Sequence, residues 1–278
     1  MTTLIQRLLL IGGGKMGAAL VGGMIDCGCL LPQHVVVVDR NESAGQWWAQ
    51  YQPEVRLLKH VDAITGDLLS PSSALMLAVK PYQTADLCNA LQTNIDPATP
   101  PLTISVAAGV TLQQLTDAAN HQRVVRVMPN TPSLVGGGAS GYCVAEGVAA
   151  ADVDWVQRVL ESVGVAMHVS ESQMNAVTGL SGSGPAYVFM IIEALADGGV
   201  AAGLRREQAM QLACSVVGGA AKMVAQTQQH PGQLKDNVCS PGGTTIEAIA
   251  SLEQSGLRSA LIEAVLTAKR RADAMDAE

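Results

Sequence analysis

Arg7-Leu8-Leu9-Leu10-Ile11-Gly12-Gly13-Gly14-Lys15-Met16-Gly17 decides the fold of this 278-residue chain. A short apolar run ends in GxGxxG, and the pattern then turns helical through Ile25. The first glycine, Gly12, permits a tight turn, Gly14 lets the backbone approach a pyrophosphate, and Gly17 lets helix and strand pack closely. Backbone N–H groups at the start of that helix suit a bound anion. Strand, glycine loop and helix agree in order, so Ile11 to Gly17 is expected to bind a dinucleotide.

Working outward, further β-branched runs follow at Val35–Asp39, Val55–Leu58, Ala74–Val79, Leu102–Val106 and Val124–Met128, six strands with the first at Arg7–Ile11. Most are apolar without alternation, the mark of parallel strands covered on both faces. The expectation is an α/β domain over 1–168 with a Rossmann-type doubly wound sheet. From 169 to 278 the strand signal stops. Helical segments are expected at 171–180, 185–202, 205–226, 244–254 and 256–275, forming an all-α domain. Tyr187, Met190, Ile191, Ala194 and Leu195 recur at helical steps and stripe one face. With three Trp, four Tyr and one Phe in the whole chain, a helical domain so poor in large side chains is expected to complete its core with a second subunit.

Composition narrows the function classes. Hydrophobic residues make up 48% and charged residues 15%, the balance of a packed protein rather than a disordered one. Seventeen bases against 24 acids give a net charge of −7, and no basic stripe interrupts that, so nucleic acid is excluded as a partner. Mean hydropathy is +0.25; the longest apolar segment, Ala186 to Ala202, carries Glu193 and Asp197, which argues against a membrane span. Six cysteines without CxxC spacing fit a reduced cytoplasm. His34, His60, His121, His168 and His230 show no metal-ligand spacing, so no metal is expected.

At the end of the second strand Asp39 and Arg40 stand about 20 residues beyond Gly17, where an acid accepts from a ribose 2′-OH and an Arg holds a 2′-phosphate. The two signals point to NAD and NADP respectively, and Asp39 as a helix cap is a third reading. Ala78-Val79-Lys80-Pro81 closes the fourth strand at the carboxyl edge where open α/β sheets place ligands, and Ala107-Ala108 does so after the fifth. Asn130, in Met128-Pro129-Asn130-Thr131-Pro132, ends the sixth strand and either orients a ligand or satisfies turn backbone.

A second site lies in Asp236-Asn237-Val238-Cys239-Ser240-Pro241-Gly242-Gly243-Thr244-Thr245-Ile246-Glu247. Thr244 and Glu247 match a capping box with Thr244 as N-cap. The preceding Ser240-Pro241-Gly242-Gly243 leaves backbone amides bare at a positive helix end, a concavity suited to a carboxylate. Cys239 has no neighbouring His to make it a nucleophile. Glu193, Asp197 and Lys222 read better as polar faces of helices than as site groups.

The chain resembles the pyrroline-5-carboxylate reductase family along essentially its whole length. The matches are the glycine loop at 12–17, AVKP at 78–81, AAGVT at 107–111, MPNTP at 128–132, SGSGPAY at 181–187 and HPGQLKDNVCSPGGTTIEA at 230–248. The resemblance implies hydride transfer from NADPH or NADH to the C=N carbon of 1-pyrroline-5-carboxylate, giving L-proline. It implies that the turn Ser240 to Thr245 holds the substrate carboxylate through the N–H groups of Gly243 and Thr244. It also implies that Thr245 places its hydroxyl at the ring nitrogen. Helical domains of the family pair into intertwined dimers that assemble further, often to a ring of ten chains. The position of Arg40 commonly lies near the 2′-phosphate, whereas Asp39 departs from the small or hydroxyl residue often found before it, which keeps NADH in play. One rival is a reductase of other cyclic imines or a β-hydroxyacid dehydrogenase of similar build, the latter needing a helix-borne lysine; the other is a nucleotide-sensing or scaffold protein without turnover.

Overall fold

The central strands carry apolar residues on both faces because both faces of the sheet are covered. In the computed structural model, which describes residues 5–276, β1 (Arg7–Ile11) lies between β2 (Val35–Val38) and β4 (Ser73–Leu77). Side chains alternate faces along a strand. Leu8, Leu10, Val35 and Val37 accordingly join one core with Leu20, Met24, Trp48 and Trp155. Leu9, Ile11, Val36 and Val38 join another with Leu87 and Leu91 of the helix Thr84–Gln92. Burying each such side chain contributes about 2 kcal/mol.

The sheet has eight strands in the order β3-β2-β1-β4-β5-β6-β7-β8. β3 is Arg56–Leu58, β5 Leu102–Ser105 and β6 Val124–Met128, and these pair parallel with their neighbours up to β6. The two strands beyond them correct the expected count of six. β7 (Gly138–Val144) runs antiparallel to β6, and β8 (Gly164–His168) runs parallel to β7. β7 reads Gly-Ala-Ser-Gly-Tyr-Cys-Val, without the β-branched run that marks a strand, because its glycines admit close neighbours. A Cβ on Gly138 would lie 2.8 Å from the Val163 carbonyl oxygen, and one on Gly141 would lie 2.8 Å from Val177.

By compactness the chain divides into one unit of residues up to Ser183 together with those from Thr267, and another of Gly184–Leu266. The last strand, β8, ends at His168, and the helical stretch after it stays with the sheet because Val177 covers Gly141. The end of the helix Leu257–Asp276 belongs to the same unit. Arg126, whose side chain is buried in β6, pairs with Glu171 at 2.7 Å and Asp276 at 3.3 Å, and Asn175 Nδ2 donates to Asp276 at 2.8 Å.

The second unit is helical, with Gly184–Ala201, Arg206–Thr227, Thr244–Gln254 and the first half of Leu257–Asp276, as the apolar periodicity indicates. It also has a short helix, Pro231–Asn237, absent from the expected set; seven polar-rich residues give no periodic signal. Its buried core consists of Ala196, Ala209 and Ala213. Gly199 lies against Ala209, where an added Cβ would stand 3.0 Å from the Ala209 Cβ, so two helices approach almost to backbone contact. Large apolar side chains stay outside this core: Phe189 is 61% and Met190 69% exposed. Glu193 and Asp197 do not remove the apolar character of the region. Glu171–Ala201 is long and apolar enough to cross a membrane by length and composition alone, and 6% of its most apolar window is buried.

Candidate active site

The turn after β1 is built by three steric constraints. Gly12 has φ +96°, and its N–H donates to the Val38 carbonyl at 3.0 Å. A Cβ there would stand 2.7 Å from the Ala78 carbonyl carbon. A Cβ on Gly17 would come inside 3.0 Å of the Gly12 carbonyl oxygen, so the first helical turn rests directly on the loop. Gly14 differs: its φ is −70°, it is the residue before the first helical turn, and a Cβ would meet nothing within 4 Å. That empty space faces a cleft of about 1170 Å³ at the carboxyl edge of the sheet, where the strand order reverses at β1 and β4. The Trp48 indole N–H donates to the Gly13 carbonyl at 2.9 Å, and Gly13 packs against Trp48 and Val37. Gly13 and Gly17 thus shape the loop from behind, while Ile11, Gly12, Gly14, Lys15 and Met16 line the cleft.

The other expected cofactor residues converge on that cleft. Ala78, Val79, Lys80 and Pro81 follow β4, and Ala107 and Ala108 follow β5. Asp39 and Arg40 line it from the end of β2, but Asp39 is already engaged: its Oδ1 accepts from the Asn41 N–H at 2.8 Å. Asn41 in turn is the N-cap of the helix Glu42–Tyr51, with Oδ1 accepting from Ser43 N–H at 2.9 Å. Capping therefore belongs to Asn41, with Asp39 bracing it. Sequence reasoning missed Asn41, Lys59, His60 and Tyr82 on the cleft wall. The signal for Asn41 was its Asn-x-x helix-start position; Lys59 and His60 gave none, because β3 is only three residues long.

Asn130 is buried, and both ends of its amide are bound: Oδ1 accepts from Ala139 N–H at 2.9 Å and Nδ2 donates to the Ser181 carbonyl at 3.0 Å. It ties Met128-Pro129-Asn130 to the Ser181-Gly182-Ser183 turn, where Gly182 packs on Met128.

In the helical unit, the turn at Ser240 departs from the expected capping box. Gly243, not Thr244, is the N-cap of Thr244–Gln254, and no side chain caps it. The reason is local: Gly242 has φ +65°, and the Gly243 N–H closes the turn by donating to the Ser240 carbonyl at 3.0 Å. This places Thr244 and Thr245 inside the helix as its first two residues. Their N–H groups fall in the first turn, where no intrahelical acceptor exists, and the helix end adds partial positive charge. The Gly243 N–H, expected to bind a carboxylate, is spent within the turn.

Other titratable groups are structural. Asp197 pairs with Arg206 at 2.6 Å. Burial and the nearby Arg123 push the His121 imidazole down to about 4, and burial pushes the Cys143 thiol up to about 12. All six cysteines are free.

Two family descriptions match the chain: "Pyrroline-5-carboxylate reductase dimerisation" over residues 171–275 and "NADP oxidoreductase coenzyme F420-dependent" over 7–109. The pyrroline-5-carboxylate reductase of Methanosarcina acetivorans is 41% identical over 272 residues, 96% of each chain. That of Escherichia coli is 39% identical over 269 residues, 94% of each. Among solved structures, the Coxiella burnetii pyrroline-5-carboxylate reductase superposes with a TM-score of 0.86 at 34% identity, covering 98% of both chains. The Plasmodium falciparum pyrroline carboxylate reductase with NADP bound gives 0.84 at 29% identity over 99% of both. The glycine loop, the carboxyl-edge cleft and the uncapped helix start therefore sit in a chain that belongs to the pyrroline-5-carboxylate reductase family.

Proposed function

We propose that this chain reduces 1-pyrroline-5-carboxylate to L-proline with the dinucleotide in the carboxyl-edge cleft and the substrate carboxylate on the first turn of Thr244–Gln254. The chain is an NADPH-dependent oxidoreductase acting on a cyclic C=N bond, the last step of proline synthesis, as its relatives' names over nearly their whole length support. The observation that carries the residue assignment is the helix start itself, whose Thr244 and Thr245 N–H groups have no side-chain cap. A carboxylate there gains charge-assisted hydrogen bonds of about 1.5–3 kcal/mol each.

The cleft lining suits a dinucleotide: the bare Gly14 position leaves room for pyrophosphate oxygens, and Lys15 to Gly17 open the helix beneath them. When bound, NADPH supplies a hydride to the ring carbon of the C=N bond. Ser240, Gly242 and Gly243 set the turn, and Gly243 acts by holding it rather than by donating to substrate. Thr245 directs its hydroxyl to the ring nitrogen in this reading. A threonine hydroxyl is too weak an acid to be the source of the proton, which the nitrogen takes from water, so Thr245 works by orientation. Asn130 contributes to substrate binding through the two backbone segments it joins. In this reading the unit up to Ser183, with the residues from Thr267, binds the nucleotide, and the helical unit Gly184–Leu266 carries the carboxylate-binding turn and the pairing surface.

The chain is a homo-oligomer: it carries the family's dimerisation region, and its own helical core is three alanines. In this reading the apolar stretch 171–201 is covered by a second copy rather than by lipid, and the dimers gather further, toward ten chains. Six unpaired cysteines support a cytoplasmic site. The test is a single assay: enzyme, NADPH and the imine should consume reduced nicotinamide and release L-proline. Thr245→Ala should lower kcat by about tenfold or more, the worth of one lost hydrogen bond at the reacting ring, with little change in NADPH affinity. Cofactor bound without turnover would favour a nucleotide sensor and refute the reductase.

A further inference from the structure

The carboxyl ends of β2 and β3 bring together residues distant in sequence. The strands are parallel, with Val37 beside Leu57 and Val38 beside Leu58, and the Asp39 N–H extends the ladder by donating to the Leu58 carbonyl at 3.1 Å. The next step in that register sets Lys59 beside Asp39 and His60 beside Arg40, and all four line the nucleotide cleft. A smaller cavity of about 450 Å³ shares this rim, and Asp39, Arg40, Asn41 and Lys59 line both. Charge at the rim is mixed, since Asp62 faces the cleft and Glu42 the smaller cavity. A phosphate there must therefore be held by a cation that reaches it, because the summed field gives little.

Asp39 is the obstacle to a 2′-phosphate, and its carboxylate is bound to its own loop through the Asn41 N–H. Among the described residues, Arg40 and Lys59 make no salt bridge, so both ammonium and guanidinium remain available. We propose that Lys59 is a specificity-determining residue for the phosphorylated dinucleotide: with Arg40 it holds the ribose 2′-phosphate and offsets the Asp39 carboxylate which that phosphate must face. The inference rests on the reading that the cleft holds the dinucleotide.

Calorimetric titration of the full-length protein with NADPH, NADH and the fragment 2′,5′-ADP tests it. Lys59→Ala should weaken NADPH and 2′,5′-ADP by about tenfold, the worth of one charge-assisted contact at an exposed rim, and NADH by less than about twofold. Lys59→Arg should restore the selectivity, and added salt should shrink the difference between wild type and Lys59→Ala. Equal loss for NADH and NADPH, or unchanged 2′,5′-ADP affinity, would overturn the assignment while leaving the cleft as the nucleotide site. Wild-type protein that binds neither dinucleotide would overturn the cleft reading itself, and Lys59 with it.

Discussion

Alanine at Gly14 and alanine at Gly17 should separate binding from folding within one loop of six residues. At Gly14 the backbone is extended, φ −70° and ψ −164°, which alanine adopts freely, and a Cβ meets no atom within 4 Å. Stability should therefore stay within about 0.5 kcal/mol of wild type. The same methyl projects into the cleft, where a pyrophosphate oxygen bonded to the loop amides would sit at about 3 Å. Displacing it forfeits at least one charge-assisted hydrogen bond, so NADPH affinity should fall about 10- to 100-fold. At Gly17 the order reverses. Helix propensity alone would favour alanine by about 1 kcal/mol, but the Cβ would press on the Gly12 carbonyl oxygen and stand 3.0 Å from Leu10 Cδ2. Neither yields easily, because Gly12 is hydrogen-bonded to Val38 and Leu10 is fully buried. Overpacking of this kind costs about 1–3 kcal/mol, so Gly17→Ala should lower Tm by about 2–6 °C for a chain of this size. Differential scanning calorimetry and nucleotide titration on both variants provide the readouts. Gly14→Ala that binds NADPH like wild type, or Gly17→Ala that melts like wild type, would refute the division of roles among the glycines.

Two stability predictions concern the amino-terminal ends of β5 and β6. His121 Nδ1 accepts from the Arg123 N–H at 3.2 Å, and its imidazole is held neutral, with its titration pushed from 6.5 down to about 4 by burial first and Arg123 second. The unfolded chain binds that proton below pH 6.5 while the folded one does not, so stability falls as pH drops from 6.5 toward 4, by about 3 kcal/mol at most. In urea titrations at matched protein concentration, His121→Gln should lose this share of the acid sensitivity; a wild-type-minus-variant difference that is flat across that window would contradict it. Arg123 binds Asp152 through two nitrogens, each at 2.8 Å, and also donates to the Pro71 and Pro100 carbonyls. Arg123→Met should destabilise by about 3 kcal/mol, because Asp152 is left buried without its cation; adding Asp152→Leu should recover part of the loss, and failure to recover any would mean the two carbonyls dominate.

Much of the first unit was legible because its signals are local. The six strands read from β-branched runs are present, with Arg7–Ile11 and Val124–Met128 at their expected bounds and the others shifted by one or two residues. β7 escaped because its glycines, Gly138 and Gly141, admit neighbours, Val163 and Val177, that lie far along the chain. The cap before Thr244–Gln254 was misassigned by one residue for a similar reason: the positive φ of Gly242 sets where the helix starts, and a Thr-x-x-Glu pattern does not encode φ.

By itself, the sequence determined the alternation of strand and helix, the glycine spacing and the Ser-Pro-Gly-Gly turn before the helix, since each depends on residues within a few positions of one another. Only tertiary structure decided which residues share the cleft wall with Arg40, that Asn130 spends its amide on backbone, and that three alanines are all the core the helical unit has. Those facts follow from strand register and helix approach, which are set by packing between segments remote in the chain and leave no periodic trace in either one alone.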